Sequence, residues 1–111
     1  MGIRQERLGD QVRDILAQQF SGGRISDPSL QGVTITFVKM SSDLQLATVY
    51  FRLYDPSQTA EALQGLERCK GFLRKNLAGE LDLRRVPDLR YFYDDRLEKW
   101  HKIDNLLRQG E

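Results

Sequence analysis

The chain has 111 residues, 40% of them hydrophobic and 30% charged, and 17 Lys and Arg against 16 Asp and Glu leave a net charge of +1. This balance predicts one folded unit rather than a disordered or fibrous chain, and no apolar run reaches the about 20 residues that a bilayer crossing needs. One cysteine and one histidine exclude an intrachain disulfide and a Cys/His zinc site. The opening Met1-Gly2-Ile3-Arg4-Gln5-Glu6-Arg7 has no apolar signal core, and Glu6 and Asp10 are too acidic for a transit peptide, so a cytoplasmic address is expected.

Leu8, Val12, Ile15, Leu16 and Phe20 recur at helical spacing and predict a helix over about Arg4–Phe20, closed by Ser21-Gly22-Gly23. Asp27-Pro28 marks a turn. The β-branched alternation of Val33–Met40 predicts a strand, and Ser41-Ser42-Asp43 turns the chain into a second one over about Leu44–Tyr54. Ala47, Val49, Phe51 and Leu53 share its dry face. Thr48, Tyr50, Arg52 and Tyr54 share the wetter one, as in an antiparallel hairpin covered by helices on one side.

Asp55-Pro56 opens a long helix in which Leu63, Leu66, Lys70, Leu73, Leu77 and Leu81 keep a three-four spacing to about Asp82. Gly65, Gly71 and Gly79 interrupt it, each at up to about 1 kcal/mol relative to alanine. Val86-Pro87 stops helix formation, and Leu89–Asp94 reads as a third strand. Asp94 or Asp95 then caps a last helix with the stripe Leu97, Trp100, Ile103 and Leu107, its tryptophan packed against the domain. A strand-helix-strand crossover places the third strand parallel to the second. The expected fold is a two-layer α+β arrangement with a mixed three-stranded sheet.

Nothing in this order supports catalysis. His101 falls on a polar helix position, Cys69 within a helix as a small buried thiol, and Asp94-Asp95 where capping accounts for both acids; no phosphate-binding glycine motif follows a strand. No enzyme and no cofactor are expected. The charge distribution points to binding. Residues 1–55 hold six bases and six acids, whereas Arg68, Lys70, Arg74 and Lys75 fall in an acid-free stretch, and Arg84, Arg85 and Arg90 extend it against Glu80, Asp82 and Asp88. If the long helix breaks at Gly71, its second half offers unpaired N–H groups and a positive dipole end to phosphate, with those cations around it.

Several fragments then match a known pattern in the right order: Asp27-Pro28-Ser29-Leu30, Val33-Thr34-Ile35-Thr36, Ser41-Ser42-Asp43-Leu44, Ala47-Thr48-Val49-Tyr50, Arg85-Val86-Pro87-Asp88-Leu89 and Phe92-Tyr93-Asp94. Over about Arg4–Leu107 the chain resembles bacterial ribosome-binding factor A. The resemblance implies a type II KH-like fold, helix-strand-strand-helix(kink)-helix-strand, here with a C-terminal helix: one domain over 1–111, its compact core at about 4–95 and the last helix at about 96–108. It also implies a non-catalytic factor, monomeric and without membrane contact, that binds the small ribosomal subunit through ribosomal RNA and ribosomal proteins. Its role would be late maturation of the subunit near the 5′ part of that RNA, above all in the cold.

Ordinary KH domains clamp nucleic acid with Gly-x-x-Gly, and no two glycines here lie three apart. The family's Ala-x-Gly kink would be Cys69-Lys70-Gly71, with cysteine for alanine. Arg68, Lys70, Gly71, Arg74, Lys75, Arg84, Arg85 and Arg90 are then the expected RNA contacts. Two alternatives use other surfaces: a stand-alone single-stranded RNA binder stacking bases on Tyr50, Arg52 and Tyr54, and a protein-interaction module using Trp100, Ile103 and Leu107.

Overall fold

A computed structural model of the chain describes residues 2–81 and 83–110. Helix α1 (Ile3–Ser21) leads through a 3-10 turn (Pro28–Leu30) to strands β1 (Thr34–Met40) and β2 (Leu46–Arg52). A second 3-10 turn (Pro56–Gln58), helix α2 (Thr59–Glu80), strand β3 (Asp88–Tyr93) and helix α3 (Arg96–Gln109) follow. The sheet order is β1-β2-β3, with β2 antiparallel to β1 and parallel to β3. α1 packs on β1, α2 on β3, and the two helices on each other. The expected two-layer α+β class with a mixed sheet therefore holds.

Local chemistry explains the joints. Asp27 Oδ1 accepts from the Ser29 N–H at 3.0 Å and Asp55 Oδ1 from the Ser57 N–H at 3.1 Å, so each Asp-Pro pair closes a 3-10 turn. After α1, Gly23 takes φ +71°, a conformation that only glycine adopts without a Cβ penalty. Leu8, Val12 and Leu16 of α1 and Ala62, Leu66, Leu73 and Leu77 of α2 bury against Val38, Met40, Val49, Phe51 and Leu89 of the sheet. Two glycines allow the close approach: a Cβ on Gly9 would lie 2.6 Å from Val38 O, and one on Gly65 would strike Ser29 and Leu30.

β1 departs from strict alternation. Ile35 pairs with Phe51 but Phe37 with Tyr50, so Thr36 is the extra residue of a β-bulge. Alternation alone would bury Phe37 beside Ile35. The bulge instead keeps Ile35, Val38 and Met40 inside and turns Phe37 and Lys39 outward.

Three further expectations need correction. α2 runs as one α-helix from Thr59 to Glu80, so the kink expected at Cys69-Lys70-Gly71 supplies no second helix start and no unpaired amides. A glycine costs about 1 kcal/mol in a helix, less than the burial of Leu66 on one side and Leu73 and Leu77 on the other. Gly71 permits no close contact either, since nothing lies within 4 Å of a Cβ placed there. The helix ends at Glu80, with Leu81 extended; Asp82, its expected end, lies outside the described residues.

Trp100 does not pack against the domain: it is 60% exposed, and no residue of α3 is buried. α3 is held only at its root. Arg52 donates to both Glu98 oxygens at 2.6 and 3.0 Å, and Tyr93 Oη donates to Glu98 Oε1 at 3.1 Å. Asp94 accepts from Thr36 Oγ1 at 2.6 Å and from the Arg96 guanidinium at 2.7 and 2.9 Å.

Candidate nucleic-acid interface

The cations expected around Gly71 do not converge. Arg68 reaches back to the first 3-10 turn, donating to Asp27 Oδ2 at 2.9 Å and to Ser29 Oγ at 3.2 Å. Lys70 lies on the opposite flank of α2, with Nζ 3.3 Å from Glu67, 3.8 Å from Asp88 and 6.0 Å from the Tyr91 ring centre. Arg74 is half-buried and donates to the carbonyls of Val86 and Pro87 at 3.2 Å each. These three side chains fasten α2 to its neighbours. Lys75 points outward and Gly71 is bare surface. Cys69 is half-buried, and burial pushes its thiol up, away from the reactive thiolate.

Other cations do meet, at the end of the sheet where the β1–β2 hairpin, the start of α1 and the loop after α2 come together. Gln5 Nε2 donates to Met40 O at 2.7 Å, and the Asp88 N–H donates to Gln45 O at 2.8 Å, which ties all three segments to one place. The hairpin is tight: Asp43 Oδ1 accepts from Ser41 Oγ at 2.7 Å and from the Gln45 N–H at 3.1 Å, and Leu44 sits at φ +61°. A positive φ at leucine is a strained choice. It is held here by those bonds and by the packing of Leu44 against the core.

Between these segments lies an open cleft of about 560 Å³ lined by Arg4, Asp43, Leu44, Gln45, Leu83, Arg84 and Arg85. A second groove, lined by Ile3, Arg4, Arg7, Leu8, Gln11 and Leu83, adjoins it through Arg4 and Leu83. Arg4, Arg7, Arg84 and Arg85 are exposed and make no ion pair among the described residues. Among the described residues Asp43 is the one acid lining the cleft, and its carboxyl is held below its usual range by Ser41 and Gln45. Such a surface suits phosphate, which guanidinium groups bind with paired donors.

The structure thus brings together Arg84 and Arg85 of the expected contacts and sets Arg68, Lys70 and Arg74 in structural roles. Arg90 lies apart on the open sheet face, beside Thr48. Arg4 and Arg7 were not singled out from the sequence; their signal is a basic pair three residues apart at a helix start, ahead of the apolar stripe.

The order α1-β1-β2-α2-β3, with both packed helices on one side of a mixed three-stranded sheet, is that of a type II KH-like fold whose middle helical segment is one unbroken helix and which lacks the Gly-x-x-Gly clamp. The sequence profile of the family "Ribosome-binding factor A" matches residues 4–107. A curated protein of that name from Macrococcus caseolyticus is 34% identical over 110 residues, covering 98% of this chain and 96% of its own length. The crystal structure of ribosome-binding factor A from Thermus thermophilus matches with a TM-score of 0.72 at 27% identity, over 80% of this chain and 93% of that one. A homology model of the Thermus thermophilus factor, fitted into the cryo-EM map of a 30S complex, matches with a TM-score of 0.67 at 27% identity, over 81% and 94% of the two chains. The chain belongs to the ribosome-binding factor A family.

Proposed function

We propose that this chain is a cytoplasmic, non-catalytic maturation factor of the small ribosomal subunit that docks on folded ribosomal RNA through the cleft of Arg4, Arg84 and Arg85, with Arg7 beside it. The observation carrying this reading is that these arginines, brought from two distant stretches of chain, share one surface and pair with no acid among the described residues. Lys75 and Arg90 are further phosphate contacts. Arg74 acts indirectly, since its bonds to Val86 and Pro87 anchor the loop that carries Arg84 and Arg85.

Phosphate contacts position a protein without reading sequence, so the shape of the assembling subunit supplies specificity. Residues 1–111 act as one monomeric KH-like unit, compact over about 4–95 and extended by the helix at about 96–108. The fit of the related Thermus factor into the cryo-EM map of its 30S complex supports the choice of partner. The role includes processing at the 5′ end of the subunit's RNA and matters most in the cold.

The charge reversal Arg84→Glu with Arg85→Glu is expected to abolish co-sedimentation with small subunits while leaving the melting temperature unchanged. Retained co-sedimentation would move the interface elsewhere. Cells lacking the gene are expected to accumulate free subunits and unprocessed small-subunit RNA, and a normal gradient profile would refute the maturation role.

A second contact is favoured by the exposure of Leu97, Trp100, Ile103 and Leu107, each half or more in water. This stripe, rooted at the end of the sheet opposite the arginine cleft, engages a ribosomal protein. Deleting residues 97–111 then weakens subunit binding with the arginine cleft intact.

A further inference from the structure

The outer face of the sheet carries no packed helix, and positions there are ordinarily polar. Thr34, Lys39, Thr48 and Arg90 follow that rule. One cross-strand row breaks it. Phe37 pairs with Tyr50 and Tyr50 with Phe92, and the ring centres lie 6.0 and 6.1 Å apart with planes inclined by 30° and 33°. The three rings form a shallow strip, with Phe37 36% and Phe92 50% exposed. Phe37 belongs to it only because of the bulge at Thr36. Aromatic neighbours on adjacent strands support a sheet, but that support does not require the rings to stay in water.

The charges around the strip favour one occupant. The next row is Lys39, Thr48 and Arg90, and neither cation makes an ion pair among the described residues. On the other side the Arg96 guanidinium stands 5.8 Å from the Phe37 ring centre. Asp94, Asp95 and Glu98, the acids at that border, are engaged by Arg96, Lys99 and Arg52, and Asp88 lies one row beyond Arg90 near Lys70. The uncompensated charge is positive. In chain register, the basic row separates the rings from the hairpin end that holds the arginine cleft.

We propose that this face is a stacking platform for single-stranded RNA, with bases on Phe37, Tyr50 and Phe92 and phosphates on Lys39 and Arg90. Rings about 6 Å apart suit successive unstacked bases, and stacking accepts every base because each has a π face. A strand seated there runs its backbone over Lys39 and Arg90 toward Arg84 and Arg85. The proposal rests on the function above for the polyanion being RNA, and it adds a single-stranded segment to the folded RNA held in the cleft.

The test titrates the intact chain with fluorescein-labelled ten-nucleotide uridine and adenosine RNA, read by anisotropy, and with polyphosphate of equal charge as competitor. Phe37→Leu with Phe92→Leu keeps the apolar surface and removes the π faces; it is expected to weaken both oligonucleotides by about 10-fold or more. Tyr50→Phe, which keeps the ring and loses only its hydroxyl, is expected to bind both oligonucleotides like the wild type. Wild-type affinity in the leucine pair, or equal displacement by polyphosphate, overturns the platform. No oligonucleotide binding by the wild type, with subunit binding lost in the leucine pair, assigns the strip to a protein and also overturns it. Retained subunit binding by the Arg84/Arg85 variant refutes the cleft alone and leaves the oligonucleotide result standing.

Discussion

Replacing Arg4, Arg84 and Arg85 together by alanine tests the reassigned surface through the salt dependence of subunit binding. Each neutralised phosphate contributes about 0.7 to 0.9 to the slope of log K against log salt, depending on the form of the nucleic acid. Three lost contacts flatten that slope by about 2 to 3 units. Over a fourfold rise in salt, a difference of about 2.5 units corresponds to about a 30-fold change in relative affinity. The measurement is co-sedimentation with purified small subunits across a potassium chloride series. The matched control is Arg68→Ala with Arg74→Ala, which removes two cations of the same chemistry. Arg74 donates to two backbone carbonyls, and bonds from a charged donor contribute about 1.5 to 3 kcal/mol. Arg68 is 57% exposed in its pair with Asp27 and adds less than about 1 kcal/mol. The control therefore loses stability and, since Arg74 anchors the loop of Arg84 and Arg85, weakens binding by a similar factor at every salt concentration while keeping its slope. The same flattening in both variants, or in the control alone, would refute the division into structural and phosphate-binding arginines.

Two glycines have opposite signs: Gly71→Ala, with open space around the new methyl, raises stability by up to about 1 kcal/mol, and Gly9→Ala, directed at Val38 O, lowers it by about 1 to 3 kcal/mol. Thermal denaturation reads both, at about 4 to 8 °C per kcal/mol. Asp94 is buried, and the Arg96 guanidinium, with Thr36, holds its carboxyl well below the usual range; Glu98, paired with Arg52, lies down at about 2. Both folded values are depressed, so this stabilisation is complete above the unfolded pKa of about 4 and is lost as pH falls toward and through the folded values. Asp94→Asn lowers stability at pH 7 by about 1.5 to 3 kcal/mol and makes the acid limb of a stability-against-pH curve shallower; an unchanged limb would refute the assignment.

The elements were legible because each rests on a local pattern. The stripe from Leu8 to Phe20, the alternation from Ala47 to Leu53 and the two Asp-Pro turns are short-range signals that the packing agrees with. The bulge at Thr36 was not legible, because its cause lies in distant partners: Thr36 Oγ1 bonds Asp94 Oδ2 and Tyr50 O. The break at Gly71 was overread. A propensity of about 1 kcal/mol does not end a helix whose flanking turns are both buried. The Trp100 expectation failed because a helical stripe shows amphipathicity and leaves open whether the partner belongs to the same chain.

The candidate site failed for a more instructive reason. Linear clustering of cations is not spatial clustering: residues two apart on an α-helix point about 200° away from each other. Arg68 and Lys70 accordingly face Asp27 on one flank and Asp88 on the other, an opposition that helical geometry contained from the start. In a chain with 17 bases and 16 acids, seven of the cations pair with acids among the described residues. Charge available to a polyanion is what remains unpaired. Asp27 and Asp88 take up Arg68 and Lys70, and the carbonyls of Val86 and Pro87 take up Arg74, whereas Arg84 and Arg85, on a loop beyond the helix, gain Arg4 from the far end of the chain, with Asp43 the one acid lining their cleft among the described residues. Binding to ribosomal RNA is therefore a property of the residual charge after folding, and the same subtraction exposes Lys39 and Arg90 beside the aromatic row of the sheet.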